Sequence, residues 1–163
     1  MSVINKKNDI SKTIKNPLHL EIYPGSQILR QVADSVDVFD TDIVLLASQM
    51  FDFMSKHGGI GLAAPQIGLL RRIIVIGFGN QCLCVVNPKI TQANDWEWMK
   101  EGCLSLPGKI INIKRHKNIE MQGFDITGKS VSMKASGLLA RVFQHEIEHL
   151  NGKLICDYEV HVR

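Results

Sequence analysis

The sequence predicts an α+β fold: short antiparallel β-sheets packed around a central α-helix near the C-terminal end, with an amphipathic helix toward the N-terminus. Three observations lead there. Apolar residues recur at helical spacing in two stretches only, 40–57 and 137–150. Between them lie short β-branched or alternating runs separated by Gly, Asn, Asp and Pro. The second helical stretch carries His145-Glu146-x-x-His149, with its polar residues on the apolar side. At 163 residues the chain suits one domain, placed at 17–163 behind a flexible, Lys-rich arm over 1–16.

Taken in order, Tyr23-Pro24-Gly25 is a turn, and Asp34 to Phe39 reads as extended or loop. Asp40 is an N-cap candidate. After it Ile43, Leu46, Ala47, Met50, Phe53 and Met54 form one apolar stripe, and Gly58-Gly59 ends the helix. Gly59 to Gly68 is neutral and glycine-rich, and Pro65 argues against a regular element. Gln66 is its only polar side chain. The stretch is either a tight structural loop or a loop whose backbone approaches a ligand, with Gln66 as an oxyanion donor. Ile73 to Phe78 and Gln81 to Val86 read as a hairpin, which Asn87-Pro88 breaks. Short strands follow at 95–99, 110–115, 118–124 and 130–134, and a terminal strand at 153–160.

The helix at 137–150 opens at Ala135 or Ser136 and closes at Gly152. At about 100° per residue, Leu138, Val142, His145 and His149 fall on one stripe. Leu139, Phe143, Glu146 and Leu150 fall beside it, and Arg141, Gln144 and Glu148 on another side. A carboxylate and two imidazoles on a core-facing side are costly unless paired or ligated. Residues four apart share a face, so both His can grip one metal ion, with Glu146 beside it as general base. A catalytic metal takes three protein ligands and leaves one position open. Cys103, in Gly-flanked Glu101-Gly-Cys-Leu-Ser-Leu-Pro-Gly108, is either that third ligand or a buried thiol near a turn.

The formal net charge is +3, with Lys and Arg dispersed, so a basic patch for nucleic acid is unsupported. No apolar run approaches the roughly 20 residues of a membrane span. The N-terminus lacks the apolar core of a secretory signal. The four cysteines therefore read as reduced thiols, Cys82 and Cys84 as buried strand residues and Cys156 as core. The expectation is a cytosolic protein.

Gly59-Ile-Gly-Leu-Ala-Ala-Pro-Gln66, Glu101-Gly-Cys-Leu-Ser105 and Gln144-His-Glu-x-x-His149 together, in this order, closely resemble the peptide deformylase family. The likeness runs from about Leu18 to Tyr158. It implies an enzyme that removes the formyl group from the N-terminal formyl-methionine of nascent polypeptides in the bacterial cytoplasm. It implies Cys103, His145 and His149 as metal ligands and Glu146 as general acid/base. Gln66 and the backbone N–H of Leu104 would stabilise the oxyanion. Gly61 would pair its backbone with the substrate, and Ile60, Met99, Leu138 and Val142 would line the methionine pocket. The resemblance implies one divalent ion, Fe(II) in the cell and zinc or nickel when isolated. It implies formyl-methionine nascent peptides and a transient ribosome contact as partners, with no direct nucleic acid and no membrane.

Three positions depart from the family pattern. Glu148 stands where an Asp is usual, and the expectation is that it still reaches Arg115. Arg141 stands at a usually apolar position near the pocket rim. The chain stops at Arg163, where some relatives carry a longer helix that docks on the ribosome. The rival readings are a divergent member with lost activity, a metalloprotease, and a non-enzymatic metal-binding domain.

Overall fold

The computed structural model describes residues 9–79 and 81–159. It is an α+β structure with one five-stranded antiparallel sheet, order β1-β2-β3-β4-β5, and three α-helices. The strands are β1 (Gly61–Ala63), β2 (Ile73–Phe78), β3 (Gln81–Cys103), β4 (Leu106–Phe124) and β5 (Ser130–Ser136). The helices are α1 (Ile10–Thr13), α2 (Thr41–Lys56) and α3 (Gly137–Leu150).

The run Ile73-Ile-Val-Ile76 is buried throughout because β2 has a helix on each face. Ile74 and Ile76 pack in one cluster with Phe143, Ile147 and Leu150 of α3. Ile73 and Val75 pack in another with Ile43, Leu46, Met50 and Met54 of α2. Helix α2 is capped by the Asp40 side chain, which accepts from Asp42 N at 3.0 Å. Of the arm expected over 1–16, residues 1–8 lie outside the described residues. Residues 9–16 carry α1, and Ile10 and Ile14 pack against the α2 cluster.

The strands expected at 81–86 and 95–99 merge into one long strand, as do those at 110–115 and 118–124, while the one expected at 130–134 stands as β5. Strand β3 does not end at Asn87-Pro88 but bulges there, with a register shift between Val86 and Lys89. Asn87 takes a positive φ of 50°, and its amide pairs both backbone groups of Val36, at 2.9 and 2.8 Å. That pairing outside the ladder lets the strand continue. Strand β4 likewise runs unbroken through His116-Lys117, held by Gln144 of α3. The Gln144 amide accepts from His116 N at 3.0 Å and donates to His116 O at 2.8 Å.

Other local expectations fail for equally local reasons. The loop at 59–68 contains β1, paired to β2, and then a 3-10 turn over Ala64–Ile67 in which Pro65 needs no N–H partner. The expected strand at 153–160 is a 3-10 turn over Ile155–Tyr158, and Val160 lies outside the described residues. Asp157 makes the turn: it accepts from Leu154 N at 2.9 Å and from Arg30 at 2.7 Å. Cys82 is exposed rather than buried. No helix is long and apolar enough to cross a membrane.

Candidate active site

Helix α3 projects His145 and His149 toward the end of β3, where Cys103 stands. The last register pair of the β3–β4 hairpin, Cys103 with Leu106, is closed by a two-residue turn at Leu104-Ser105. A register shift between Gly102 and Cys103 re-aims the strand end. His149 Nε2 lies 3.2 Å from His145 Nε2 and 3.3 Å from Cys103 Sγ. All three donor atoms lie within 4.8 Å of one another, the one such cluster among the described residues.

These distances suit a divalent ion. With metal–nitrogen bonds of about 2.0–2.1 Å, a tetrahedral edge is about 3.3 Å. The donor set is that of a three-ligand site, and His145 is oriented for it: its Nδ1 lies 3.0 Å from Glu101 Oε2, leaving Nε2 toward the cluster. His149 Nδ1 is the exception, buried without a partner among the described residues.

Glu146 is 4% exposed, and its Oε2 has no hydrogen-bond partner among the described residues. Burial pushes its carboxyl up to about 7. The space it fills is the space a side chain at 61 would need: a Cβ on Gly61 would lie 2.3 Å from Glu146 Oε1. The 3-10 turn supplies Gln66. Its Oε1 accepts from Ala63 N at 2.9 Å, so its amide nitrogen faces Ser105 Oγ at 3.2 Å and Cys103 Sγ at 3.7 Å.

Beside the cluster opens a cleft of about 410 Å³. Ile60, Gly61, Met99, Leu138 and Val142 all border it, with Gln66, Cys103, Leu104 and His145. Residues from all three motifs thus border one cleft, with His149 buried beside His145 and Cys103.

A family model described as polypeptide deformylase matches residues 19–162. The chain belongs to that family. It is 41% identical over 145 residues to a peptide deformylase of Thermodesulfovibrio yellowstonii, covering 86% of this chain and 87% of that one. Among solved structures it resembles the peptide deformylase of Thermotoga maritima with a TM-score of 0.84 and 37% identity, covering 87% of this chain and 97% of that one. A peptide deformylase from Synechococcus elongatus, solved in complex with actinonin, matches with a TM-score of 0.86 and 37% identity over 99% of this chain and 87% of that one.

Within this deformylase-family fold, Glu101, Arg115, Arg141 and Glu148 form an ionic network behind the cleft. Glu101 accepts from Arg115 at 2.6 and 3.0 Å and from Arg141 at 2.5 Å, besides facing His145. Burial pushes the Glu101 carboxyl up, but hydrogen bonding with His145 and Arg115 outweighs it and holds the group down at about 2. Glu148 does reach Arg115, at 2.9 Å, and Tyr158 donates to its other oxygen. The helical side carrying Arg141 and Gln144 is therefore not a solvent face: they are 4% and 7% exposed.

Proposed function

We infer that this chain is a deformylase in activity as well as in family: an enzyme that removes the formyl group from the N-terminal formyl-methionine of nascent polypeptides. The observation that carries this reading is the convergence of Cys103, His145 and His149 beside Glu146, at the head of a cleft with apolar walls. Cys103 Sγ, His145 Nε2 and His149 Nε2 would hold one divalent ion. When bound, such an ion supplies Lewis acidity, which brings the pKa of water toward about 7. Glu146 takes the proton of the attacking water and returns it to the leaving amine; before any ion is bound, burial already raises its carboxyl above the ordinary carboxylate range. Gln66 Nε2 and the Leu104 N–H donate to the formyl oxygen as it gains charge, about 3 kcal/mol for each donor. Gly61 lends its backbone to the peptide, and Ile60, Met99, Leu138 and Val142 hold the methionine side chain.

One thiolate and two imidazoles leave a single net positive charge on a divalent metal, which suits Fe(II) in the cell; zinc or nickel would replace it in isolated protein. Action on nascent chains places the enzyme in the bacterial cytoplasm, in transient contact with the ribosome. The test is anaerobic purification with metal analysis, then formate release from a formyl-Met-Ala-Ser peptide. About one metal per chain and formate release are expected. Casein cleavage without formate release would replace this reading with that of a metalloprotease.

A further inference from the structure

A second cavity, of about 630 Å³, opens where the hairpin of β3 and β4 meets the C-terminal half of α3, and it shares no lining residue with the cleft. Arg72, Lys89, Lys114, Arg115 and Lys153 line it, against a single carboxylate, Glu148. Glu148 pairs with Arg115 at 2.9 Å, and Lys153 acts on Asp157, which Arg30 already holds. Arg72, Lys89 and Lys114 form no ion pair among the described residues. Lys89 and Lys114 are exposed. Arg72 is half-buried, and its guanidinium meets only uncharged oxygens: Asn151 Oδ1 at 2.9 Å, Leu150 O at 3.3 Å and Pro88 O at 3.5 Å.

The cavity runs out onto the outer face of the hairpin. There Trp96 stands opposite His116, and Trp98 opposite Lys114. The two indoles are 59% and 62% exposed. Being two residues apart on one strand, they share a face at a spacing of about 6.8 Å. Trp96 is backed by the His116 ring, 3.6 Å between centroids, and by Lys114 Nζ, 5.4 Å from its own centroid. Of the carboxylates beside them, Asp95 accepts from Asn118 at 2.8 Å, and Glu97 lies on the opposite face of the strand.

Cations without counter-ions in a groove, next to flat aromatic faces, match the phosphates and the bases of a single nucleic-acid strand. A bilayer surface cannot enter the cavity to reach Arg72, and an acidic peptide would leave the indoles uncovered. We propose that the surface from Arg72 and Lys89 to Trp96 and Trp98 docks single-stranded RNA, its phosphates on the cations and its bases stacked on the indoles. The choice of RNA rests on the deformylase reading, because nascent chains emerge from a particle built largely of RNA. Lys and Arg are dispersed along the sequence, but the hairpin and α3 gather these few into one groove.

Trp96 and Trp98 are the chain's two tryptophans, so intrinsic fluorescence reports on this face alone. The full metal-loaded chain is titrated with an oligouridylate of about 12 nucleotides. Saturable quenching is expected, with an affinity that falls as salt rises. Inorganic polyphosphate, which has the charge without the bases, should bind about tenfold more weakly or worse. Anisotropy of a labelled oligouridylate then compares variants checked for folding by thermal melting. Trp96→Ala with Trp98→Ala should weaken binding about tenfold or more. Lys89→Ala with Lys114→Ala should weaken it too, and lower the slope of log affinity against log salt by about 0.7 per lysine. No saturable quenching at low salt, polyphosphate as tight as the oligouridylate, tighter binding to phosphatidylglycerol vesicles, or unchanged affinity in either folded double variant would overturn the proposal. Formate release from formyl-Met-Ala-Ser is measured alongside: its absence would overturn the deformylase reading, while the titration still decides this surface.

Discussion

Glu146 carries the proton transfers in the proposed reaction, and Cys103 carries metal retention, so their removal should fail differently. Glu146→Ala is expected to keep the metal and the fold while losing roughly 10²–10⁴ in kcat. Cys103→Ala is expected to lose the metal on dialysis. Full metal and full rate in Cys103→Ala would remove it from the ligand set. His145 adds a pH dependence. In the chain without an ion, burial pushes its imidazolium down, but Cys103 and Glu101 outweigh burial and hold its pKa up at about 10. Below that value it carries a proton that ligation must expel. Metal affinity should therefore rise with pH between about 7 and 9, by about tenfold per unit for each proton released. Calorimetry in buffers of different ionisation enthalpy would count the protons; release of none would contradict the His145 assignment.

At the scale of elements, α3 serves two surfaces at once. Its Leu138–Val142–His145 side borders the cleft, and Phe143, Ile147 and Leu150 hold it against the sheet. Its end is set by Gly152, whose φ is +71°; a Cβ there would lie 2.5 Å from Arg30 O. Gly152→Ala therefore combines backbone strain with a clash against main chain, which has no rotamer by which to retreat. We expect a loss of about 2 kcal/mol or more, read as a lower urea midpoint at unchanged slope. An unchanged midpoint would mean that the helix end yields without cost. The bulges of β3 are the counterpart in the sheet. The sequence signs read as strand breaks, Asn87-Pro88 above all, are the points where a long strand bends.

Across the whole molecule, the Glu101 network joins the hairpin of β3 and β4 to α3 and, through Glu148 and Tyr158, to the last 3-10 turn. Glu101 titrates near 2 in the fold, against an ordinary value of 4.5. The unfolded chain takes up this proton first as pH falls. The stabilisation is complete above about pH 4.5 and is lost between there and about pH 2, up to ~3 kcal/mol. Urea unfolding at pH 5 and pH 2.5 should show this loss, and Glu101→Gln should flatten it. Equal losses in both proteins would show that the network does not govern acid stability.

Much of the site was legible because its chemistry is carried by short-range spacing. Two His four apart on an apolar helical side, a cysteine in a Gly-flanked loop, and a lone Gln in a neutral loop are local patterns. Local backbone geometry turns each into a direction for a side chain. The α+β class and helix α2 followed from periodicity for the same reason. The length of β3 and β4 did not, because a bulge and a break share the same residues. Only the partner decides between them: Val36 pairing Asn87, or Gln144 pairing His116. The burial of Arg141 and the role of Glu101 were hidden likewise. A charge is tolerated in a core only when groups distant in sequence arrive to pair it, and only the tertiary structure brought Glu101, Arg115, Arg141 and Glu148 together.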